Sequence, residues 1–439
     1  MRRLERKWAA ELVVIGVHSA KFPTEQETAS VRQAVLRLGL DHPVVNDAEF
    51  RVWQQWAVRA WPTLFFVDPH GGIIGKHEGE VPYDALDRFV GDLVRQYDAQ
   101  GALDRRPLAL TPERAQLPDS PLRFPGKLVA DLASGRLVIA DTGHHRLLVA
   151  DLDGRIRQVI GSGEPGLADG SLSAARFHGP QGVALVGDVV YVADTDNHAL
   201  RAVDLAAGQV TTVAGTGEQA LGPPSAGPAR TTALNSPWDL VYADGELYVA
   251  MAGCHQLWWC DLARGEVRPF AGNGREGLRD GPRLDAWLAQ PSGIALAGEL
   301  LYFADSETSS IRSVERGPQG AVRTLVGRGL FEFGDVDGVG DAVRLQHPIG
   351  LAVDGEALIV ADTYNHKLKR LGPRTRACTT WAGSGEPGHR DGPLATAQFW
   401  EPSGVSVAGD VVYVADTNNH AVRVVDRAAG VVRTLELRV

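Results

Sequence analysis

The feature that most constrains this chain is a phrase it writes several times. "ADTDNHALRAVD" begins at Ala193, "ADTYNHKLKRLG" at Ala361 and "ADTNNHAVRVVD" at Ala415, with a looser copy, "ADTGHHRLLVAD", at Ala140. A proline opens each unit, at Pro125, Pro180, Pro237, Pro291, Pro348 and Pro402, at spacings of 55, 57, 54, 57 and 54 residues. Fourteen residues after each of the last five prolines stands the motif's aspartate or its substitute: Asp194, Met251, Asp305, Asp362 and Asp416; Asp141 lies sixteen after the first. A fixed period of this length means one supersecondary unit repeated, here six times.

Each unit contains four short alternating apolar runs, in the fourth "GIALAG", "LLYFADS", "SIRSVER" and "VRTLVG". Alternation bounded by Gly, Asp or Asn predicts strands, and four antiparallel strands per repeat predict a propeller blade. An all-β six-bladed propeller over 121–439 is therefore expected. The 50 glycines and 25 prolines suit many turns between short strands.

The repeated phrase falls where the second strand turns into the third. Asp and Thr there are expected to accept from N–H groups one or two residues on, while Asn, Gly or Asp tolerates left-handed backbone angles. Each copy resumes with an apolar residue: Leu147, Leu200, Leu257, Ile311, Leu368 and Val422. His145, His198, His255, His366 and His420 look like a ligand set, but equivalent positions on six blades lie on a circle. They cannot meet at the ~2 Å bond lengths of one zinc ion, so the corners read as structural.

Two further recurrences belong to the joints between blades. Five copies leave the last strand through G-x-G, at Gly161, Gly215, Gly272, Gly327 and Gly383; none opens a helix, as a phosphate loop requires. Four continue with Asp-Gly and place an apolar residue eight positions after the Asp, at Phe177, Leu288, Leu345 and Phe399, expected to pin the crossover against the next blade. "GPPSAGPARTTALN" in the third unit lacks this pattern and is expected to be a flexible surface loop.

The first hundred residues are of another kind. "LVVIGVHS" and "PVVND" read as strands, "TEQETASVRQAVLRLGL" as an amphipathic helix with a Thr cap, and "AEFRVWQQWAVR" as a second helix. The strands "TLFFVDP" and "GIIGKHEGE" follow across a Gly-Gly turn, then a helix from Tyr83 to about Gln100. An α/β domain over 1–102 and a linker over 103–120 are expected.

Cys254, Cys260 and Cys378 are the only cysteines. Cys254 and Cys260 sit on one predicted strand, about 20 Å apart when extended, so no bridge joins them, and all three are expected to be reduced. No apolar run reaches the roughly 18 residues of a membrane span, and "MRRLERKWAAEL" lacks a signal-peptide core, so no membrane partner and a cytoplasmic location are expected. A net charge of −10 argues against nucleic acid as a partner.

"RAWPTLFFVDPHGGIIGKHEG" resembles the second half of a thioredoxin-like domain. With "IGVHSAKFP", "FPGK", "ADTGHH", "QPSG", "FGDVDGVG" and "VADTNNH", the chain from about Leu12 onward resembles the family of thioredoxin-like proteins with NHL-repeat propellers. The resemblance implies an N-terminally truncated thioredoxin-like domain ahead of the propeller, with Pro62 as the cis-proline that faces the redox centre. The strand and helix that would carry C-x-x-C are missing, and "MRRLERKW" resembles the tail of that helix. Either the gene product starts further upstream, or the remaining strands close up into a non-redox variant. The family's β-rich C-terminal appendage is missing as well.

Propellers bind at the mouth of the central channel, where innermost strands begin. The starts "FPGK", "GPQG", "SPWD", "QPSG", "HPIG" and "EPSG" bring Lys127, Gln181, Trp238, Asp239, Gln290, His347 and Glu401 to that opening. Unlike residues at equivalent places suit an asymmetric ligand, although any ring must put solvated groups at its mouth. Three functions are in play. The first is a non-catalytic interaction protein holding a peptide, protein or small ligand at the propeller face and the interdomain crevice, with no cofactor. The second is a thiol-disulfide oxidoreductase, which needs an activated cysteine this chain does not supply. The third is a metal-dependent hydrolase or lyase, with Asp239, His347 and Glu401 as ligands.

Overall fold

A computed structural model describes residues 1–106, 113, 120–220, 222 and 225–438. The chain divides into two compact units, Met1–Asp119 and Ser120–Val439. Most of the linker expected over 103–120 lies outside the described residues.

The larger unit is the six-bladed propeller. Six separate antiparallel sheets span residues 128–160, 180–214, 237–271, 291–326, 350–382 and 402–434. In the fourth blade the strands run Pro291–Ala297, Leu300–Asp305, Ser310–Glu315 and Ala321–Val326, hydrogen-bonded in chain order. Alternate residues point to opposite faces of each sheet, and both faces are covered by neighbouring blades. The core accordingly lies in interblade clusters, such as the one joining Leu257, Phe270 and Leu288 to Phe303 and Val314.

The crossovers are pinned as the spacing predicts: Phe177, Leu288, Leu345 and Phe399 are fully buried. Two equivalents escaped the spacing rule. Leu122 and Leu234, each three residues before a blade proline like the other four, are 1% and 0% exposed. Leu234 corrects the expectation of a flexible loop in the third unit. There Gly227–Pro228 pairs with the fourth strand of its blade, as Gly281–Pro282 does one blade on, so the segment is an ordinary crossover lacking only the Asp-Gly signal. Residues 223 and 224 of this stretch, and 221 just before it, are outside the description. The Asp of Asp-Gly has its own work: Asp280 accepts from Arg312 (3.0 Å) and from Thr324 Oγ1 (2.7 Å), tying the crossover to the third and fourth strands.

The C-terminal segment also packs against the first blade. Arg438 accepts from Ile156 N–H (2.7 Å) and donates to the Gly154 carbonyl (3.1 Å), and Leu435 is buried. The ring is thus latched along its outer edge as well as at its corners.

The smaller unit comprises α1 (Arg2–Lys7), β1 (Gly16–His18), α2 (Thr28–Arg37), β2 (Val44–Asn46), α3 (Arg51–Gln55), β3 (Thr63–Val67), β4 (Ile73–Glu78) and α4 (Tyr83–Ala99). The helix expected to start at a Thr cap is broken: Pro23–Gln26 forms a 3₁₀ turn, and α2 follows Glu27 without a side-chain cap. β1 and β2 are parallel, β3 and β4 antiparallel, and the two pairs are separate sheets. They do not close up into one. Val17 and Val45, partners across β1 and β2, stay 46% and 43% exposed in consequence, and Trp61, Val67 and Ile73 are more exposed still. The Trp61–Pro62 peptide is cis.

Candidate functional site

The repeated corner is a joint between blades. Its aspartate does not accept from N–H groups one or two residues ahead, as expected, but from one far behind it. His178, Ala289, Gln346 and Trp400 N–H donate to Asp194, Asp305, Asp362 and Asp416 at 2.7 to 2.8 Å, each sixteen residues on. The other carboxylate oxygen takes a fully buried arginine in three blades: Arg201 to Asp194 (2.9 Å), Arg312 to Asp305 (2.8 Å) and Arg423 to Asp416 (2.8 Å). The hydroxyl beside the aspartate donates across the joint. Thr142, Thr195, Ser306, Thr363 and Thr417 reach the carbonyls of Pro180, Pro237, Pro348, Pro402 and Pro125 at 2.6 to 2.8 Å.

The corner histidines complete the joint. Each sits in the left-handed region, with φ from 48° to 55°. Nδ1 of His145, His198, His255, His366 and His420 accepts the N–H of Gly179, Ser236, Gln290, Glu401 and Phe124, at 3.0 to 3.2 Å. In the fourth blade Ser309 Oγ takes this role towards His347 N–H (3.1 Å). A ring nitrogen that accepts carries no proton, so these imidazoles are neutral with the proton on Nε2. Burial agrees, holding His198 and His366 below the usual range and His420 at about 4.

The same joints fix the backbone at the start of each innermost strand. The residue before each blade proline is left-handed: Phe124, Gly179, Ser236, Gln290, His347 and Glu401, φ 47° to 58°. This backbone is unfavourable for non-glycine residues and more so before proline, and the bond to the neighbouring corner supports it. Gln290 and His347, both partly exposed, are therefore presented by a fixed backbone, while Glu401 on the same kind of backbone is buried. The imidazole of His347 stacks on Tyr364 (centroids 4.5 Å apart, planes 15° apart), with Nδ1 3.5 Å from Glu307 Oε1. Tyr364 and Glu307 went unnoticed in the sequence; their signal is that the second corner position varies while its neighbours repeat. Trp238 and Gln181, one residue after their prolines, are half-buried, and Gln181 Oε1 lies where a Cβ on Gly126 would clash, at 2.4 Å.

Three of the seven residues expected at the mouth are buried: Glu401, 3% exposed, and Lys127 and Asp239, 5% and 7% exposed two positions after their prolines. Glycine holds that level in the other four blades, as Gly182, Gly293, Gly350 and Gly404, because the innermost strands approach closely: a Cβ on Gly293 would meet the Ile349 carbonyl oxygen at 2.4 Å. The Lys127 ammonium reaches two blades, donating to the carbonyls of Ile349 (2.5 Å) and Ser403 (2.7 Å). The Asp239 carboxylate accepts from Leu240 N–H (2.9 Å) and from Ile294 N–H (3.1 Å) in the next blade. Burial moves both towards neutrality, Lys127 down to about 8 and Asp239 up to about 6, and each opposes the other's shift by its charge. Lys127 thus ties its strand to the fifth and sixth blades, and Asp239 ties its strand to the fourth.

Asp239, His347 and Glu401 are not gathered: among the described residues no group of three or more His, Cys, Asp or Glu side chains could hold a metal ion. The thiols of Cys254, Cys260 and Cys378 are buried, and burial pushes each to about 12. No helix among the described residues is long and apolar enough to cross a membrane.

The NHL repeat family model matches residues 122–150, 177–202 and 399–425, the first, second and sixth units. The chain is 42% identical to NHL repeat-containing protein 2 of Bos taurus over 94% of its own length and 62% of that protein's. For NHL repeat-containing protein 2 of Homo sapiens the figures are 40%, 97% and 63%. It is 41% identical to Protein SUPPRESSOR OF QUENCHING 1, chloroplastic, of Arabidopsis thaliana over 99% of its own length and 43% of that protein's. The chain thus spans less than two thirds of the relatives it matches.

Proposed function

Because this chain is an NHL-repeat protein that resembles NHL repeat-containing protein 2 along nearly its whole length, we propose that it is a non-catalytic scaffold whose propeller mouth holds a peptide or protein. The observation that carries the reading is the split between side chains that repeat in the joints and those that vary from blade to blade. The repeating Asp, Thr, His and Arg are used up in joints. The residues that differ from blade to blade at the starts of the innermost strands include Gln181, Trp238, Gln290 and His347, each only partly buried, whereas Lys127, Asp239 and Glu401 are buried. Unlike side chains on a fixed backbone give a broad partner an uneven surface to recognise.

The N-terminal unit we read as an incomplete thioredoxin-like fold. Support comes from the parallel β1–β2 pair joined through α2, the β3–β4 hairpin leading into α4, and the cis peptide before Pro62. A thiol-disulfide role has no residue to carry it here, since no cysteine precedes Cys254. Metal-dependent chemistry at the channel is disfavoured by the scattered positions of Asp239, His347 and Glu401. Buried free thiols suit a reducing compartment, and we place the protein in the cytoplasm.

The test is affinity capture with the intact chain and its Trp238→Ala variant, with partners identified by mass spectrometry and melting temperatures recorded in parallel. The reading expects Trp238→Ala to lose a partner while melting within a few degrees of the parent. A folded variant that keeps every partner removes the mouth as the binding site.

A further inference from the structure

Far from the corners, at the ends of the strands that carry the opposite turns, the third and fourth blades part around a cavity of about 520 Å³. Its wall is a cross-strand row peculiar to the third blade: Tyr248 pairs with Trp259, Trp259 with Arg268, and Phe270 lies two residues further on the same face. At the Trp259 position the other blades have Val149, Ala202, Ser313, Arg370 and Val424, so an aromatic ring stands there in the third blade alone.

Three guanidiniums line the cavity. Arg268 stands over the Trp259 ring at 4.2 Å, Arg283 over Phe270 at 4.4 Å and Arg316 over Tyr248 at 5.6 Å. Of the two carboxylates on the rim, Glu246 accepts from the Tyr248 hydroxyl (2.6 Å) and Glu299 lies 3.6 Å from Arg316, which also pairs with Asp244 (3.1 Å). Among the described residues Arg283 donates only to the carbonyls of Arg316 and Pro318, Arg268 donates to no protein acceptor, and neither has a carboxylate partner. A guanidinium has five donors in a planar fork suited to carboxylate. Two such forks beside aromatic walls, in a cavity of ligand size, make a receptor for a flat anion.

We propose that this interblade cavity binds a small organic anion with a planar apolar body, of the aromatic carboxylate class, its carboxylate held by Arg268 and Arg283 and its ring against Trp259 and Phe270. The site is separate from the mouth and independent of the scaffold reading.

Calorimetric titration of the intact chain with 2-naphthoate and with its neutral isostere 2-naphthamide tests it. Saturable one-to-one binding of the carboxylate is expected, at least tenfold weaker for the amide, with a loss of at least fivefold in Arg268→Gln and in Arg283→Gln. Arg283→Gln removes hydrogen bonds to the Arg316 and Pro318 carbonyls and, if it lowers the melting temperature, is set aside. Arg268→Gln then decides, because that side chain is exposed and bonds no protein acceptor. No saturable binding of 2-naphthoate, equal affinity for the two compounds, or unchanged affinity in folded Arg268→Gln overturns the proposal.

Discussion

The backbone N–H of Phe124 donates to Nδ1 of His420 at 3.1 Å, across 296 residues of sequence. This is the same bond that Ser236 makes to His198 and Glu401 to His366, so the first and last blades meet by the device that joins every other pair but one. In that one, Ser309 stands in for the histidine. Closure therefore needs no strand exchange within a blade. It needs neutral imidazoles, together with the Thr417 hydroxyl on the Pro125 carbonyl and the Arg438 latch.

Acid should loosen the ring. A histidine titrates near 6.5 when unfolded, and His420 is pushed to about 4 in the fold, with His198 and His366 also lowered. Between those values the unfolded chain binds more protons, so the stability these residues give is full above about pH 6.5 and drains away as the pH falls towards about 4. Melting curves from pH 7.5 to 4.5 should drop less steeply in His420→Asn, whose amide oxygen keeps an acceptor without titrating. Equal slopes would refute the assignment.

Thr195→Val should destabilise the propeller by about 1–3 kcal/mol, because it leaves the Pro237 carbonyl without the hydroxyl it accepts from at 2.6 Å. Denaturant melts report it. The third blade has Ala252 at this place, so Ala252→Val should show no such loss of a hydrogen bond.

Lys127→Met strands two carbonyls and leaves the buried Asp239 carboxylate without its neighbouring cation, for a loss of about 3–5 kcal/mol. Adding Asp239→Leu removes the uncompensated charge and should recover a large part. A double-mutant cycle measures the coupling, and strictly additive losses would show that the two charges do not sense each other.

Leu234→Ala should cost about 2–5 kcal/mol, the range for a fully buried leucine, although its sequence context reads as a loose loop. Thermal melting within a degree of the parent would mean that the crossover is not held there.

The fold was legible wherever its cause is local. Alternation in "LLYFADS" and the spacing from Asp280 to Leu288 are properties of short segments, and they placed the strands and the pins. The reading went astray where a local cue was missing or had two meanings. Leu234 lacks the Asp-Gly signal, and Asp194 at a tight turn looks like a cap for its own corner while it serves a residue sixteen positions back.

At the mouth, sequence put Lys127 and Asp239 among the rim residues, since position in the repeat is all that a motif reports. Comparison of "FPGK" and "SPWD" with the glycine in "GPQG", "QPSG", "HPIG" and "EPSG" does mark them as unusual. Their depth follows from a bulge, as between Pro237 and Asp239, and from strands packed too closely for any Cβ at the glycine positions.

Sequence by itself determined that there are six blades of four strands and which residues recur at their corners, because period and alternation are carried by neighbouring residues. Tertiary structure alone decided what those corners hold. Circular closure sets Phe124 against His420 and Lys127 against Ser403, and the parting of two blades sets Arg283 beside Trp259 and Phe270; such meetings depend on where distant backbone is brought, and no stretch of chain encodes them separately.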